Sequence, residues 1–159
     1  MDNVNVLRTG FYAPEFSLPD SEGRIFSLGN NMGDFFFALC FFPSNPNEKI
    51  RKYLKDLNGG LPLTMSNLEV KPVGICPEKI SVAARLKGEL KLNFPVLSDP
   101  GFAVSGRYYV LDSEAPGRSV HFSIIVLDSD RIIRYRVSEH HGYQEFNFER
   151  FKSEISGLI

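Results

Sequence analysis

The stretch FFFALCFFPSNPNEKI, residues 35–50, decides the fold. Residues 35–42 form a continuous apolar run without polar alternation, a pattern typical of a short strand buried on both faces, as in parallel sheets. Cys40 lies inside this run, and Pro43 ends it. The stretch therefore predicts a central strand that delivers the chain, at Pro43, to a polar turn.

A helix is predicted directly after this strand. Asn45, Pro46 and Glu48 fit an N-cap, a first helical residue and a capping-box partner. The apolar residues that follow recur at helical spacing: Ile50, Tyr53, Leu54 and Leu57. These signals predict a helix over residues 46–57, and the Asn-Gly-Gly sequence of residues 58–60 is expected to stop it.

The flanking segments predict further elements of an α/β protein. Residues 13–26 place two short alternating runs around turn residues, which is the pattern of a β-hairpin. Residues 70–76 are predicted to form a second strand, with Pro72 restricted to an early or edge position. Pro77 is expected to open another helix, whose apolar stripe consists of Ile80, Ala83 and Leu86.

The C-terminal part of the chain adds a hairpin and two helices. A short helix is expected to run through Tyr108, after the turn-rich residues 94–102. Residues 121–127 and 132–137 predict two antiparallel strands joined by an acidic turn. Asn147 is placed to cap a last helix, whose apolar spacing comes from Phe148, Phe151, Ile155 and Leu158.

The order of these elements defines the fold class. It predicts an α/β protein with a mixed central β-sheet that is flanked by helices and preceded by an N-terminal β-hairpin. This is the layout of a thioredoxin-like fold. At 159 residues, 43% of them hydrophobic, the chain is expected to form a single domain over residues 1–159.

Charge and hydropathy argue against several classes of partner. Eighteen Lys and Arg against nineteen Asp and Glu leave a net charge of -1 with no basic tail, so we expect no nucleic acid partner. The N-terminus lacks the apolar core of a signal peptide, and the longest apolar run is too short to span a membrane. We expect a cytoplasmic protein with no cofactor.

His140 and His141 are interpreted as a solvated loop rather than a metal site, because only His121 remains as a further histidine.

Five stretches, taken in order, resemble the peroxiredoxins, the alkyl hydroperoxide reductase C / thiol-specific antioxidant family. APEFSLPDSEG (13–23) is similar to A-P-x-F-x-L-x-D-x-x-G, and GDFFFALCFFP (33–43) to the strand G-K-x-V-V-L-F-F-Y-P. VGICPE (73–78) resembles V-x-G-V-S-x-D, and LNFPVLSDP (92–100) resembles L-x-F-P-L-L-S-D-P. DSDRIIRYRV (128–137) takes the place of D-x-x-G-x-I-R-Y-x-x. The resemblance covers nearly the whole chain and implies a thioredoxin-like thiol peroxidase.

The residues that carry the family's chemistry are nevertheless different here. In the family pattern P-x-x-x-T-x-x-C, the cysteine thiolate attacks peroxide, and the Thr and a distant Arg orient the reactants. Counting from Pro43 places Asn47 at the Thr position and Ile50 at the Cys position. The Arg position, six residues before the Asp of the second hairpin turn, is Phe122, and Arg118 stands four residues too early. An isoleucine cannot act as a nucleophile, so the resemblance implies a peroxide site without its reactive group.

The two cysteines offer a weaker alternative. Cys40 is interpreted as a buried core residue. Cys76 is expected at the end of its strand, where a following helix N-terminus would lower its pKa, although an inert, partly buried thiol is the other interpretation. A disulfide between Cys40 and Cys76 is not expected, because their Cα atoms should lie more than about 7 Å apart.

We therefore interpret the chain as a peroxiredoxin-like protein with a degenerate active site, little or no thiol peroxidase activity and a binding or interaction role. Whether it is an enzyme stays open. The alternative is a thiol-dependent oxidoreductase or peroxidase that uses Cys76 as a displaced nucleophile, with Arg118 as its cation. A thiol-disulfide exchanger is the weakest hypothesis, since the chain has no C-x-x-C. The resemblance also implies a homodimer through the edges around this site. The binding role would place a small-molecule or protein partner at the former peroxide pocket.

Overall fold

The structure, a computed structural model, describes residues 7–60, 63–65, 68–113, 115, 117–139 and 145–158. The strands are β1 (Ser17–Pro19), β2 (Ile25–Ser27), β3 (Phe36–Phe41), β4 (Leu63–Met65), β5 (Leu68–Cys76), β6 (Val96–Ser98), β7 (Ser123–Leu127) and β8 (Ile133–Ser138). The helices are α1 (Glu48–Gly60), α2 (Ile80–Glu89), α3 (Ala103–Arg107) and α4 (Phe148–Ser156). β1 and β2 form the predicted N-terminal hairpin, and the other six strands form one sheet.

β3 lies at the centre of this sheet, as its apolar sequence predicts. It runs parallel to β5 on one side and antiparallel to β7 on the other. β7 continues to β8 through the predicted antiparallel pairing, while β5 pairs with β4 and, over its last residues, with β6. The sheet is therefore mixed, with the parallel βαβ unit at its middle.

Alternate residues of β3 supply two separate cores, which explains why the whole strand is apolar. Side chains on one face, including Ala38 and Cys40, belong to a cluster with residues of α1, α2 and α4. Side chains on the other face, including Leu39 and Phe41, belong to a cluster with the N-terminal hairpin and α3. All six residues of the strand are buried. Helices thus cover both faces of the sheet, and the predicted fold class is confirmed.

The boundaries of α1 and α2 differ from the prediction. Residues 58–60 continue α1 instead of stopping it, because Asn58 exchanges hydrogen bonds with the loop at Lys91 and Asn93, which holds the last turn in place. α2 starts at Ile80 rather than at Pro77. The Ser98 hydroxyl donates a hydrogen bond to the Glu78 carbonyl, which is therefore not used in a first helical turn, and the residues between β5 and α2 form a connecting loop.

Two short strands, β4 and β6, were not predicted. β6 lies inside the segment for which the sequence predicts only turns, and it pairs with Gly74, Ile75 and Cys76 of β5. Pro72 of β5 lies between the residues paired with β4 and those paired with β6. Its missing N–H therefore costs the sheet no ladder hydrogen bond on that side. Pro72 nevertheless lies in the middle of β5, a strand with partners on both sides, so the predicted early or edge position is wrong.

Candidate functional site

The positions that the family resemblance assigns to the peroxide site lie where β3, α1 and β7 meet. Pro43 follows β3, Asn47 and Ile50 lie at the start of α1, and Phe122 directly precedes β7. β3 and β7 are neighbours in the sheet, with Phe41 paired to Ser123. The sheet therefore brings the start of α1 and Phe122 to the same end of the molecule.

Asn47 caps α1. Its side-chain Oδ1 accepts a hydrogen bond from the Ile50 backbone N–H at 2.9 Å, and its carbonyl accepts the first helical bond from Arg51. The predicted N-cap, Asn45, is exposed and lies two residues too early, so Glu48 is the first helical residue rather than the capping-box partner. The residue at the family's Thr position therefore caps the N-terminus of α1.

Replacement of Asn47 tests this assignment. We expect Asn47→Ala to lower the free energy of unfolding by about 1 kcal/mol, because the Ile50 N–H loses its acceptor in the first turn of α1. Urea denaturation followed by circular dichroism measures the change. Asn45→Ala is the matched control and should be close to neutral, and an equal loss in both variants would mean that Asn47 is not the cap.

Ile50 occupies the third position of α1, at the place where the family pattern has its cysteine. The side chain is buried, with 8% of the residue exposed, and it belongs to the cluster that also contains Leu54 and Phe122. At this position the alkyl side chain packs the first turn of α1 against the core. It offers no lone pair, so the position that the family pattern gives to its cysteine carries no nucleophile.

Phe122 belongs to an aromatic cluster that consists of Tyr53, Phe122 and Phe146. The three ring centroids lie 5.0 to 5.3 Å apart. Each of these residues is at least nine-tenths buried. Aromatic rings at such distances attract each other through edge and face contacts in addition to their burial. Where the family pattern has an arginine, Phe122 therefore contributes a packed ring and not a cation.

Glu139, directly after β8, is hydrogen-bonded to this cluster. Its Oε2 accepts hydrogen bonds from the Tyr53 hydroxyl at 2.7 Å and the Phe146 N–H at 2.8 Å, and its Oε1 lies 3.2 Å from Lys49 Nζ. Burial opposes ionisation, but these three donors outweigh it and lower the pKa of Glu139. Burial, and then the Glu139 contact, raise the pKa of Tyr53, so neither group is poised to accept a proton near neutral pH.

Cys76 lies at the end of β5, as predicted, but its surroundings differ. It is fully buried in the same core cluster as Ala83 and Leu86 of α2. α2 begins four residues later, so the predicted helix N-terminus does not stand directly behind the thiol. Burial raises the pKa of Cys76 to about 12, and the backbone hydrogen bond at Glu78 only partly offsets this effect.

Cys40 is also fully buried, and burial raises its pKa far above the usual range. Both cysteines are free thiols. Cys40 is paired with Gly74, two residues before Cys76 on the neighbouring strand, which places the two Cα atoms roughly 8 Å apart from standard strand spacings. That separation is too long for a disulfide without backbone movement, in line with the prediction.

Arg118 is exposed. Its guanidinium carbon is 5.2 Å from the ring centroid of Phe102, a residue that packs against the core cluster on the opposite face of the sheet from Ile50. The structure therefore brings Asn47, Ile50 and Phe122 to one region, and it gives Arg118 a contact on the other face.

The described residues contain no group of three or more His, Cys, Asp or Glu side chains that could hold a metal ion, and His140 and His141 lie outside them. No helix in the described ranges is long and apolar enough to cross a membrane. Sequence reasoning missed the Glu139 network, since Lys49 and Tyr53 are 90 and 86 residues away from Glu139 along the chain and no local pattern connects them.

Solved structures of peroxiredoxins have this fold. The peroxidoxin BcpB of Mycobacterium tuberculosis superimposes with a TM-score of 0.79 over 95% of each chain at 20% identity. A peroxiredoxin-like protein from Aquifex aeolicus gives a TM-score of 0.80 over 97% of this chain and 89% of that chain at 18% identity. The fold is therefore thioredoxin-like, in the form that peroxiredoxins have.

The family follows from the sequence comparison. The model of the AhpC/TSA family matches residues 9–136, and the chain belongs to that family. A protein provisionally named a peroxiredoxin in Mycobacterium tuberculosis, strain H37Rv, is 34% identical over 101 residues, and the same figures hold for strain CDC 1551 / Oshkosh. The match covers 63% of this chain and spans about 62% of the length of these relatives.

Proposed function

We propose that this member of the AhpC/TSA family lacks the thiol peroxidase activity of its family and acts instead as a binding or interaction protein. The burial of the cysteines carries the proposal. Neither of the two cysteines in the chain is accessible, and burial raises the pKa of both thiols. Peroxide reduction by a thiol needs a thiolate that peroxide can reach, and no such group is present.

The replaced residues around the site support the same conclusion. Relative to the family pattern, Ile50 stands in place of the nucleophile and Phe122 in place of the cation, and the Asn47 side chain caps α1. Restoring one of these three would not rebuild the site, because a thiolate at the start of α1 would still face packed rings where the family pattern has a positive charge.

The alternative, an oxidoreductase that uses Cys76 with Arg118 as its cation, receives no support from the geometry. Such a mechanism needs a cation near the thiol to favour the thiolate. Cys76 is enclosed by the core on the α2 face, whereas Arg118 is in contact with Phe102, which packs on the other face of the sheet. We therefore do not retain Cys76 and Arg118 as a catalytic pair.

A groove beside the former peroxide site is our candidate for the binding role. It measures about 520 Å³ and lies between α1 and the start of α4. Tyr53 and Phe146 line it, and Lys49, Lys52 and Arg150 stand around it together with acidic side chains. This mixture suits a small-molecule or protein partner with both apolar and charged groups. A homodimer, a single-domain organisation and a cytoplasmic location remain parts of the proposal.

A turnover assay tests the loss of activity. Wild-type protein and Cys76→Ser are each incubated with hydrogen peroxide and an excess of dithiothreitol, and peroxide consumption is followed. We expect both to match the rate of dithiothreitol alone. Protein-dependent turnover in the wild type that disappears in Cys76→Ser would overturn the proposal in favour of the alternative mechanism.

A further inference from the structure

Glu139 joins three elements that are far apart in the sequence. Its own backbone N–H donates to the Phe122 carbonyl, which fixes the residue beside the start of β7. Its carboxylate binds Tyr53 and Lys49 of α1 and the N–H of Phe146. The side chain is 11% exposed, so these are hydrogen bonds to a charge that is largely withdrawn from water.

The segment held by Glu139 is short. We call Glu145, Phe146 and Asn147 the strap, since these residues lead across the aromatic cluster into α4. The Phe146 ring covers Tyr53 and Phe122 and is 7% exposed. Asn147 caps α4 through the Arg150 N–H, and Glu145 lies 3.1 Å from Lys49 Nζ. The strap is therefore anchored at one end by a helix cap and at the other by charged contacts.

Open grooves lie on both sides of the strap. One is the groove of about 520 Å³ towards α1, and the other, of about 240 Å³, lies between β8 and α4. All three strap residues line both grooves. The strap therefore lacks dense packing along its flanks, and its position depends on the Phe146 ring and on the contacts of its backbone and end residues.

We propose that Glu139 is a latch that holds the strap closed over the aromatic cluster, and that loss of its contacts lets the strap open so that Phe122, and the part of Tyr53 that the Phe146 ring covers, face the adjoining grooves. The latch does not depend on whether any thiol reacts, so this inference and the proposed function can fail separately.

The relative strength of the contacts assigns the main role to Glu139 rather than to Lys49. Lys49 is 43% exposed at its side chain and faces two carboxylates, Glu139 and Glu145, and ion pairs at such exposure are weak. The Tyr53 hydroxyl and the Phe146 N–H, in contrast, both donate to Glu139, and the Phe146 N–H also contacts the Tyr53 oxygen. Removal of the carboxylate takes the acceptor away from the Tyr53 hydroxyl and leaves the Phe146 N–H, among the described residues, with only its contact to the Tyr53 oxygen, which is the more costly loss.

The charge on Glu139 makes the latch sensitive to acid. Among the residues that the structure describes, the ionisable and charged groups that face it are Lys49 and Tyr53 from α1 and Glu145 from the strap. The pKa of Glu139 is lowered in the folded protein, so the stability that its charge contributes is fully present above the ordinary pKa of a glutamate. That contribution is lost as the pH falls through the lowered folded pKa, and the latch weakens with it.

Hydrogen exchange of the Phe146 amide, measured by NMR, tests the latch. In Glu139→Ala and Glu139→Gln we expect exchange at Phe146 to be about tenfold faster or more than in the wild type, with alanine the faster of the two. Amides of the central sheet, such as those of Leu39 and Ile124, should be accelerated by a clearly smaller factor, because they exchange through global unfolding rather than through opening of the strap. Asp56→Asn is the matched control, since it removes a carboxylate from α1 that pairs only with the exposed Lys52 in the described residues.

Two outcomes contradict the latch. One is an unchanged Phe146 rate in Glu139→Ala, and the other is acceleration of Leu39 and Ile124 by the same factor, which would mean global destabilisation. If the variants do not fold, the wild type still gives an answer. The Phe146 amide proton should shift with the Glu139 carboxyl carbon in an acid titration, and an amide shift that stays flat through the titration of Glu139 would overturn the assignment.

Discussion

Ellman's reagent added to the native protein at pH 8 is expected to leave both thiols essentially unmodified over the time in which it titrates a small-molecule thiol to completion. At that pH a thiol with the ordinary pKa of about 8.5 is roughly one quarter ionised. Burial raises the pKa of Cys76 to about 12, which leaves roughly one thiolate in ten thousand at pH 8. The thiolate population alone therefore slows the reaction by about three orders of magnitude.

Steric protection acts in the same direction. Cys40 and Cys76 have no exposed surface, so the reagent must wait for an opening of the core. After unfolding in guanidinium chloride the protein should release two equivalents of the chromophore, because both cysteines are free. Rapid release of one equivalent from the folded protein, absent in Cys76→Ser, would show a reactive Cys76 and contradict its burial in the core.

Phe122→Ala is expected to cause a severe loss of stability. The residue is 2% exposed, and its ring touches Tyr53 and Phe146 at centroid distances of 5.0 and 5.3 Å. Truncation of a buried phenylalanine leaves a cavity and typically costs about 3–5 kcal/mol. Loss of two aromatic contacts places this site in the upper part of that range.

The free energy of unfolding from urea denaturation measures this effect. Phe11→Ala is the control, since Phe11 is 45% exposed and its removal leaves no comparable cavity. It should cost less than about 1 kcal/mol. A similarly small cost for Phe122→Ala would mean that the aromatic cluster is loosely packed, and the idea that it has replaced a catalytic pocket would lose its physical basis.

The central strand could be predicted because the sequence pattern that specifies it is local. A strand buried on both faces needs apolar residues at successive positions, and β3 has them. The two hairpins and α4 could be predicted for a similar reason, since turn residues, alternation and the Asn147 cap are all short-range signals. These elements are sufficient to define the fold class.

The start of α1 shows where local signals become ambiguous. Asn45 and Asn47 are both good N-cap residues, and Pro46 between them fits the first position of a helix. Tertiary packing decides, because Pro46 is buried and its carbonyl accepts a hydrogen bond from Arg51 Nε. β4 and β6 were missed for another reason, since each is only three residues long and exists through its pairing with the distant β5.

The candidate site could be predicted only in part from the sequence. Ile50 and Phe122 were identified by counting along the family pattern, but their burial and their common core cluster required the structure. The Glu139 contacts with Tyr53 and Phe146 could not be predicted, because they depend on how β8, α1 and the strap meet in space. Cys76 was placed correctly at a strand end, yet the helix expected behind it begins further along the chain.

The most direct test of the central claim, a peroxiredoxin fold without thiol chemistry, is the mass of the protein after treatment with stoichiometric hydrogen peroxide. Reduced wild-type protein and Cys76→Ser are exposed to peroxide, quenched, and measured by intact mass spectrometry together with a thiol count in denaturant. We expect both proteins to keep their original mass and the wild type to keep two thiols, because neither sulfur is accessible as a thiolate. Rapid addition of oxygen to the wild type, with loss of one thiol and no change in Cys76→Ser, would contradict the claim.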